Sequence, residues 1–173
     1  MRIATKKLTL MAALTAIALA IFIIEAQIPM PIPIPGAKLG LANIVTLLVL
    51  FYPHKNEQGS ISFKNTDALI ILICRILLGT LLTGRALSLL LSLSGGILAF
   101  LAMIIMKKFV SNKQLWACGA IGAVFHNIGQ ILSAMLVTAT PTIAAYLPIL
   151  IIIAVATGAM TGLVAQLTLK KLP

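Results

Sequence analysis

Eight polar side chains sit in or beside apolar stretches that should tolerate few of them: Glu25, Lys38, Asn43, Arg75, Arg85, His126, Asn127 and Gln130. Their chemistry is that of holding a molecule rather than breaking one. Three cations can balance an anion, while three carboxamides and an imidazole can hydrogen-bond its oxygens. Glu25 and His126 are also the groups a proton-coupled carrier would use. The sets that catalysis needs are missing. Asp67 is the only aspartate, so there is no paired-carboxylate cluster to bind Mg²⁺ and a diphosphate. There is no G-x-x-x-x-G-K-[ST] loop for ATP, and no Ser/His/Asp or Cys/His set gathers at one depth. Cys74 and Cys118 lie inside apolar runs, and with two histidines they offer no metal-ligand spacing. The expectation is a binding protein, not an enzyme, with no metal or cofactor.

The elements that position these residues are helices in lipid. Of 173 residues 61% are hydrophobic and 9% charged, against roughly 25% charged in soluble domains. Thirteen Lys and Arg with three Asp and Glu cannot cover such a particle in water, so the reading is an all-α integral membrane protein forming a single domain over 1–173. The net charge of +10 does not indicate nucleic acid, because the basic residues fall between apolar runs rather than along one polar face interleaved with aromatics. Six spans are expected, at about 8–27, 38–52, 68–83, 85–106, 115–138 and 147–169. The first apolar run, Leu8 to Ile24, is longer than the roughly 7 to 15 residues of a signal-peptide core, so it reads as a transmembrane helix. The second and third spans are short, covering only about 22 to 24 Å. With both termini cytoplasmic, Arg2, Lys6, Lys7, Lys55, Lys64, Lys107, Lys108, Lys113, Lys170 and Lys171 all fall inside, ten of the 13 basic residues, which is the positive-inside pattern of a multi-pass bacterial plasma-membrane protein. Lys38 and Arg85 fall on the outer side, so the awkward polarity gathers in the outer half.

Depth decides what each group must do. Arg75, midway along its span, would cost at least about 2.5 to 3.5 kcal/mol facing lipid, so it faces the bundle and has a partner, either Glu25 in a salt bridge or a ligand. Lys38 and Arg85 each begin a helix, where the macrodipole disfavours a cation by about 0.3 to 1 kcal/mol, so they either serve an anion or snorkel to headgroups. On the fifth span Gly119, Gly122, Ala123, His126, Gln130 and Ser133 recur every three or four residues, a small-residue face that opens onto polarity. Gly158 and Gly162, and Ser94 with Gly95 and Gly96, are further points for close helix approach, as is the ridge Ala12, Ala16, Ala20. Alternating prolines at 29, 31, 33 and 35 with Gly36 make a stiff polyproline-like strip between the first two spans, either a rigid connector or a lid.

Those prolines, the run Gly36, Lys38, Gly40 and Asn43 that follows, Arg75, Ser92 to Gly96, and His126 to Gln130 resemble the family of heptaprenyl diphosphate synthase component I, also called Gx transporter, from about Leu8 to Leu167. That family is similar in turn to the substrate-binding S components of energy-coupling factor (ECF) vitamin transporters. The resemblance implies an S-component-like bundle of six helices that captures a small molecule outside and passes it inward on a transmembrane coupling protein driven by two ATPases. It places the coupling contact on Ala12, Ala16 and Ala20 and the gating loop on Pro29, Pro31, Pro33, Pro35 and Gly36. The leading expectation is an S-component-like transporter subunit for an anionic substrate bound by Glu25, Lys38, Asn43, Arg75, Arg85, His126, Asn127 and Gln130. The alternatives are an accessory membrane subunit of polyprenyl diphosphate or menaquinone synthesis, and a stand-alone secondary transporter.

Overall fold

Backbone in lipid has to satisfy its hydrogen bonds within its own segment, and helices do so. The computed structural model describes residues 3–28, 38–52 and 61–171, and among these it contains helices and no strand. α1 runs Ile3–Glu25, α2 Asn43–Leu50, α3 Asn65–Thr83, α4 Ala86–Met106, α5 Leu115–Thr138 and α6 Leu147–Lys171, the last led in by a 3₁₀ turn over Pro141–Tyr146. Pro29, Pro31, Pro33, Pro35 and Gly36, expected as a gating loop, lie outside the described residues.

Local chemistry sets the breaks. Asp67 Oδ2 accepts the backbone N–H of Lys64 at 2.6 Å and so caps α3. The same oxygen pairs with Lys7 Nζ at 2.6 Å, tying α1 to α3 at the lysine-rich end. Gly84, at φ +64°, closes α3 by donating to Thr80 O at 2.9 Å, and the extended Arg85 turns the chain directly into α4. Pro148 falls in the first turn of α6, where a missing N–H leaves no helical bond unmade.

Among the described residues five helices are long and apolar enough to cross a membrane: α1, α3, α4, α5 and the 3₁₀–α6 stretch. Their outward side chains, Leu81, Leu136 and Ile152 among them, are 71 to 84% exposed, as lipid-facing residues are. The chain is a membrane protein. The expected second span, 38–52, is corrected. Its helix, α2, has eight residues and covers only about 12 Å. Residues 38–42 are not α-helical because Gly40 takes φ +82° and the backbone there is bonded to side chains of α1 and α5. Lys38 to Tyr52 still carries the chain from the Glu25 end of α1 down to its Leu10 end, and α2 is mostly buried among its neighbours, which is how so short a helix is accommodated.

Small residues let the longer helices meet. A Cβ on Gly119 would overlap the Gly158 carbonyl, and one on Gly162 would overlap that of Leu115, so α5 and α6 pack backbone against backbone. On the other face of α5, Ser94 Oγ of α4 donates to Gly129 O at 3.0 Å. Both contacts fall on glycines and serine that the sequence marks as close-approach points. Gly119→Ala and Gly158→Ala should each lower stability by about 1 to 3 kcal/mol, read as a lower thermal midpoint in detergent. An unchanged midpoint would mean that α5 and α6 do not meet there.

Candidate functional site

Six of the eight expected site residues converge where α1 ends, α2 begins and α5 passes its midpoint. Glu25, Lys38, Asn43, Arg75, His126 and Gln130 are each 5% exposed or less. Glu25, the last residue of α1, accepts the N–H groups of Gly40 and of Leu41, the latter at 3.2 Å, which puts a carboxylate at the opening turn of α2. From α5, Gln130 grips the same segment. Its Oε1 accepts the Lys38 N–H at 2.9 Å and its Nε2 donates to the Lys38 carbonyl at 3.0 Å. The remaining Nε2 proton points to His126 Nε2, 2.5 Å away and one helical turn back, which makes that nitrogen the acceptor and puts the ring proton on Nδ1. His126 in turn lies flat against Gly40, where any Cβ would strike its ring.

The cations flank one aromatic ring. Lys38 Nζ sits 2.9 Å from the centroid of Phe22, and Arg75 Cζ lies 5.9 Å from it, so the ring's negative faces replace part of the lost hydration. Phe22 reaches this place because Gly79 of α3 has no side chain to obstruct it. Arg75 Nη2 donates to Asn43 Oδ1 at 3.0 Å. Its partner is therefore a carboxamide: among the described residues the ion pair within 4 Å is Lys7 with Asp67, at the far end, and the alternative of a direct Arg75–Glu25 salt bridge is corrected. The physical reason is that Glu25 is engaged by the backbone of the incoming loop. The charges of Glu25, Arg75 and Arg85 all reach Lys38, the first favouring its ammonium form and the other two opposing it.

Two expected residues stand apart. Asn127 is buried but faces α6, donating to Leu150 O at 3.0 Å. Arg85 is exposed at the start of α4, close enough for its charge to act on Lys38 without entering the cluster. The exposed Arg85 fits the snorkelling alternative. Ser88 and Ser92 of α4 are further buried hydroxyls that the expected site does not include. They are buried one turn apart on α4, on the stripe that continues to Gly95 and Gly96, and this i, i+4 repeat of hydroxyls in an apolar helix was the available signal. Ala12, Ala16 and Ala20 are all exposed along α1.

The cluster is rich in donors. Lys38 Nζ, Arg75 Nε and Asn43 Nδ2 are buried without a hydrogen-bond partner among the described residues. One carboxylate faces two cations, an excess of one positive charge if all three are ionised. Each unmade bond costs about 1 to 3 kcal/mol, and a ligand made of acceptor oxygens is what would recover it. Among the described residues no group of three or more His, Cys, Asp or Glu could hold a metal ion.

Gln130→Leu should cost about 2 to 5 kcal/mol, because it strands both backbone groups of Lys38 inside the bundle. Thermal unfolding in detergent checks this, and a loss no larger than that of an exposed substitution would show that the grip on Lys38 is not made.

No curated protein and no solved structure matches this chain. Residues 14–168 match the family model described as heptaprenyl diphosphate synthase component I, which covers most of the chain and every residue of the cluster. The chain belongs to the heptaprenyl diphosphate synthase component I family.

Proposed function

We propose that this chain is the membrane-embedded, non-catalytic subunit of a polyprenyl diphosphate synthase, and that its polar cluster holds a small anionic molecule. The family supports the first half. The second half rests on one observation: three buried N–H donors, on Lys38, Arg75 and Asn43, have no hydrogen-bond partner among the described residues and stand around a net positive charge. The chain's single aspartate, Asp67, caps α3 and pairs with Lys7 at the opposite end, so the Mg²⁺-dependent condensation would belong to a soluble, aspartate-rich partner. Ten of 13 basic residues lie in the tails and connections assigned to one side, which orients both termini to the cytoplasm of the cell membrane and the cluster toward the outer leaflet.

The exposed ridge Ala12, Ala16, Ala20 favours a second reading. It offers a flat stripe for another transmembrane helix, as an S component of an ECF transporter would need for its coupling protein. Affinity purification of the chain from gently solubilised membranes separates the two. The synthase reading expects a soluble prenyl synthase in stoichiometric yield; a coupling protein with two ATPases in its place overturns it.

The ligand site has its own test. Inorganic diphosphate should raise the thermal midpoint of the purified chain, and Arg75→Gln should abolish that rise. Lys38→Met should show a smaller rise. Diphosphate stabilisation that survives Arg75→Gln would place the anion elsewhere.

A further inference from the structure

At the opposite, lysine-rich end a crevice of about 140 Å³ opens between α1, α2 and α6, lined by Leu10, Leu14, Leu48, Val49, Tyr52, Thr168 and Leu169. Almost all of its wall is apolar, so it excludes water and accepts hydrocarbon. An engineered apolar cavity of about 150 Å³ holds one benzene, six carbons, so this one has room for a single five-carbon isoprene unit. The two chains of a phospholipid would not both enter.

The rim is cationic. Lys6, Leu10 and Leu14 follow one another at four-residue spacing on one face of α1, which puts the exposed Lys6 ammonium one turn beyond the crevice. Lys170 and Lys171, both exposed, close α6 directly after Thr168 and Leu169. Lys7 is already held by Asp67 and adds nothing to this rim. A one-chain apolar slot ending in three exposed ammonium groups, none of them in an ion pair among the described residues, is complementary to an amphiphile with one branched tail and a multiply charged head.

We propose that this crevice receives the first isoprene unit of a polyprenyl diphosphate lying in the adjacent leaflet, with the diphosphate on Lys6, Lys170 and Lys171. The choice of occupant rests on the synthase-subunit reading; the crevice and its rim do not. The site would take the amphiphilic product of chain elongation out of a soluble partner and into the membrane. The rest of the tail runs along the lipid-facing surface.

The test uses the full chain in phosphatidylcholine nanodiscs and labelled geranylgeranyl diphosphate, with empty nanodiscs as the blank. Saturable binding near one molecule per chain is expected, and excess phosphatidylglycerol should not displace it. Thr168→Trp, at the exposed mouth, and Leu48→Trp, inside, should each weaken binding about tenfold or more by occupying the slot. Replacing Lys6, Lys170 and Lys171 together by Gln should weaken it about a hundredfold and flatten its salt dependence, whereas Lys113→Gln, outside the lining, should change nothing. Displacement by phosphatidylglycerol, or affinity unaltered by Thr168→Trp and by the lysine replacements, overturns the proposal. A chain that co-purifies with a synthase yet fails these tests loses the crevice and keeps the subunit reading. One that passes them but co-purifies with ATPases keeps the crevice and loses the subunit reading.

Discussion

The grip of two side chains on one short stretch of backbone, Lys38 to Leu41, is what the rest of the site depends on. Gln130 satisfies both main-chain groups of Lys38, and Glu25 accepts the N–H groups of Gly40 and Leu41. Irregular backbone at membrane depth survives only when protein supplies the hydrogen bonds that lipid cannot. That requirement ties α1, α5 and the entrance to α2 into one unit. Everything polar nearby then has its place: His126 packs on Gly40 and accepts from Gln130, and Asn43, the first residue of α2, meets Arg75 from α3.

The same arrangement leaves the cluster with more to donate than it can use. Glu25, the one carboxylate near Arg75 and Lys38 among the described residues, is committed to backbone. The cations are held instead by an aromatic ring and a carboxamide, which temper burial without cancelling charge. A buried polar network with surplus donors is costly as a structural element, and the proposed anion site rests on that surplus. The far end has the opposite design. There Lys7 and Asp67 cancel one another, the interior is hydrocarbon, and Lys6, Lys64, Lys107, Lys108, Lys170 and Lys171 are exposed.

Much of this was legible from residue types. Arg75 had to face inward because lipid would not accept it, and it does. The glycines at 119, 158 and 162 and Ser94 had to mark close helix approach, because small groups on apolar helices have little else to offer, and they do. The second span misled: the apolar run over 38–52 is continuous in composition, yet only Asn43–Leu50 is α-helix, since hydropathy records which residues avoid water and is blind to side chains that compete for backbone hydrogen bonds. Asn127 was placed with His126 and Gln130 by depth, but one residue is 100° of helical turn, enough to aim it at Leu150 of α6. Ser88 and Ser92 are easily passed over in sequence because a hydroxyl in a membrane helix commonly bonds its own preceding carbonyl, as Thr138 and Thr157 do here.

By itself the sequence determined the solvent, the helical class and the family, because these follow from composition, run length and a pattern of residues spread over most of the chain. It also determined which polar residues would need partners. Tertiary structure alone decided who those partners are: that Glu25 serves backbone rather than Arg75, that Gln130 holds Lys38 across 92 positions, and that Arg85 stays outside. Linear spacing fixes the face of a helix a residue occupies, but the distance between faces depends on how closely glycine lets each pair of helices pack, and only the assembled bundle sets that.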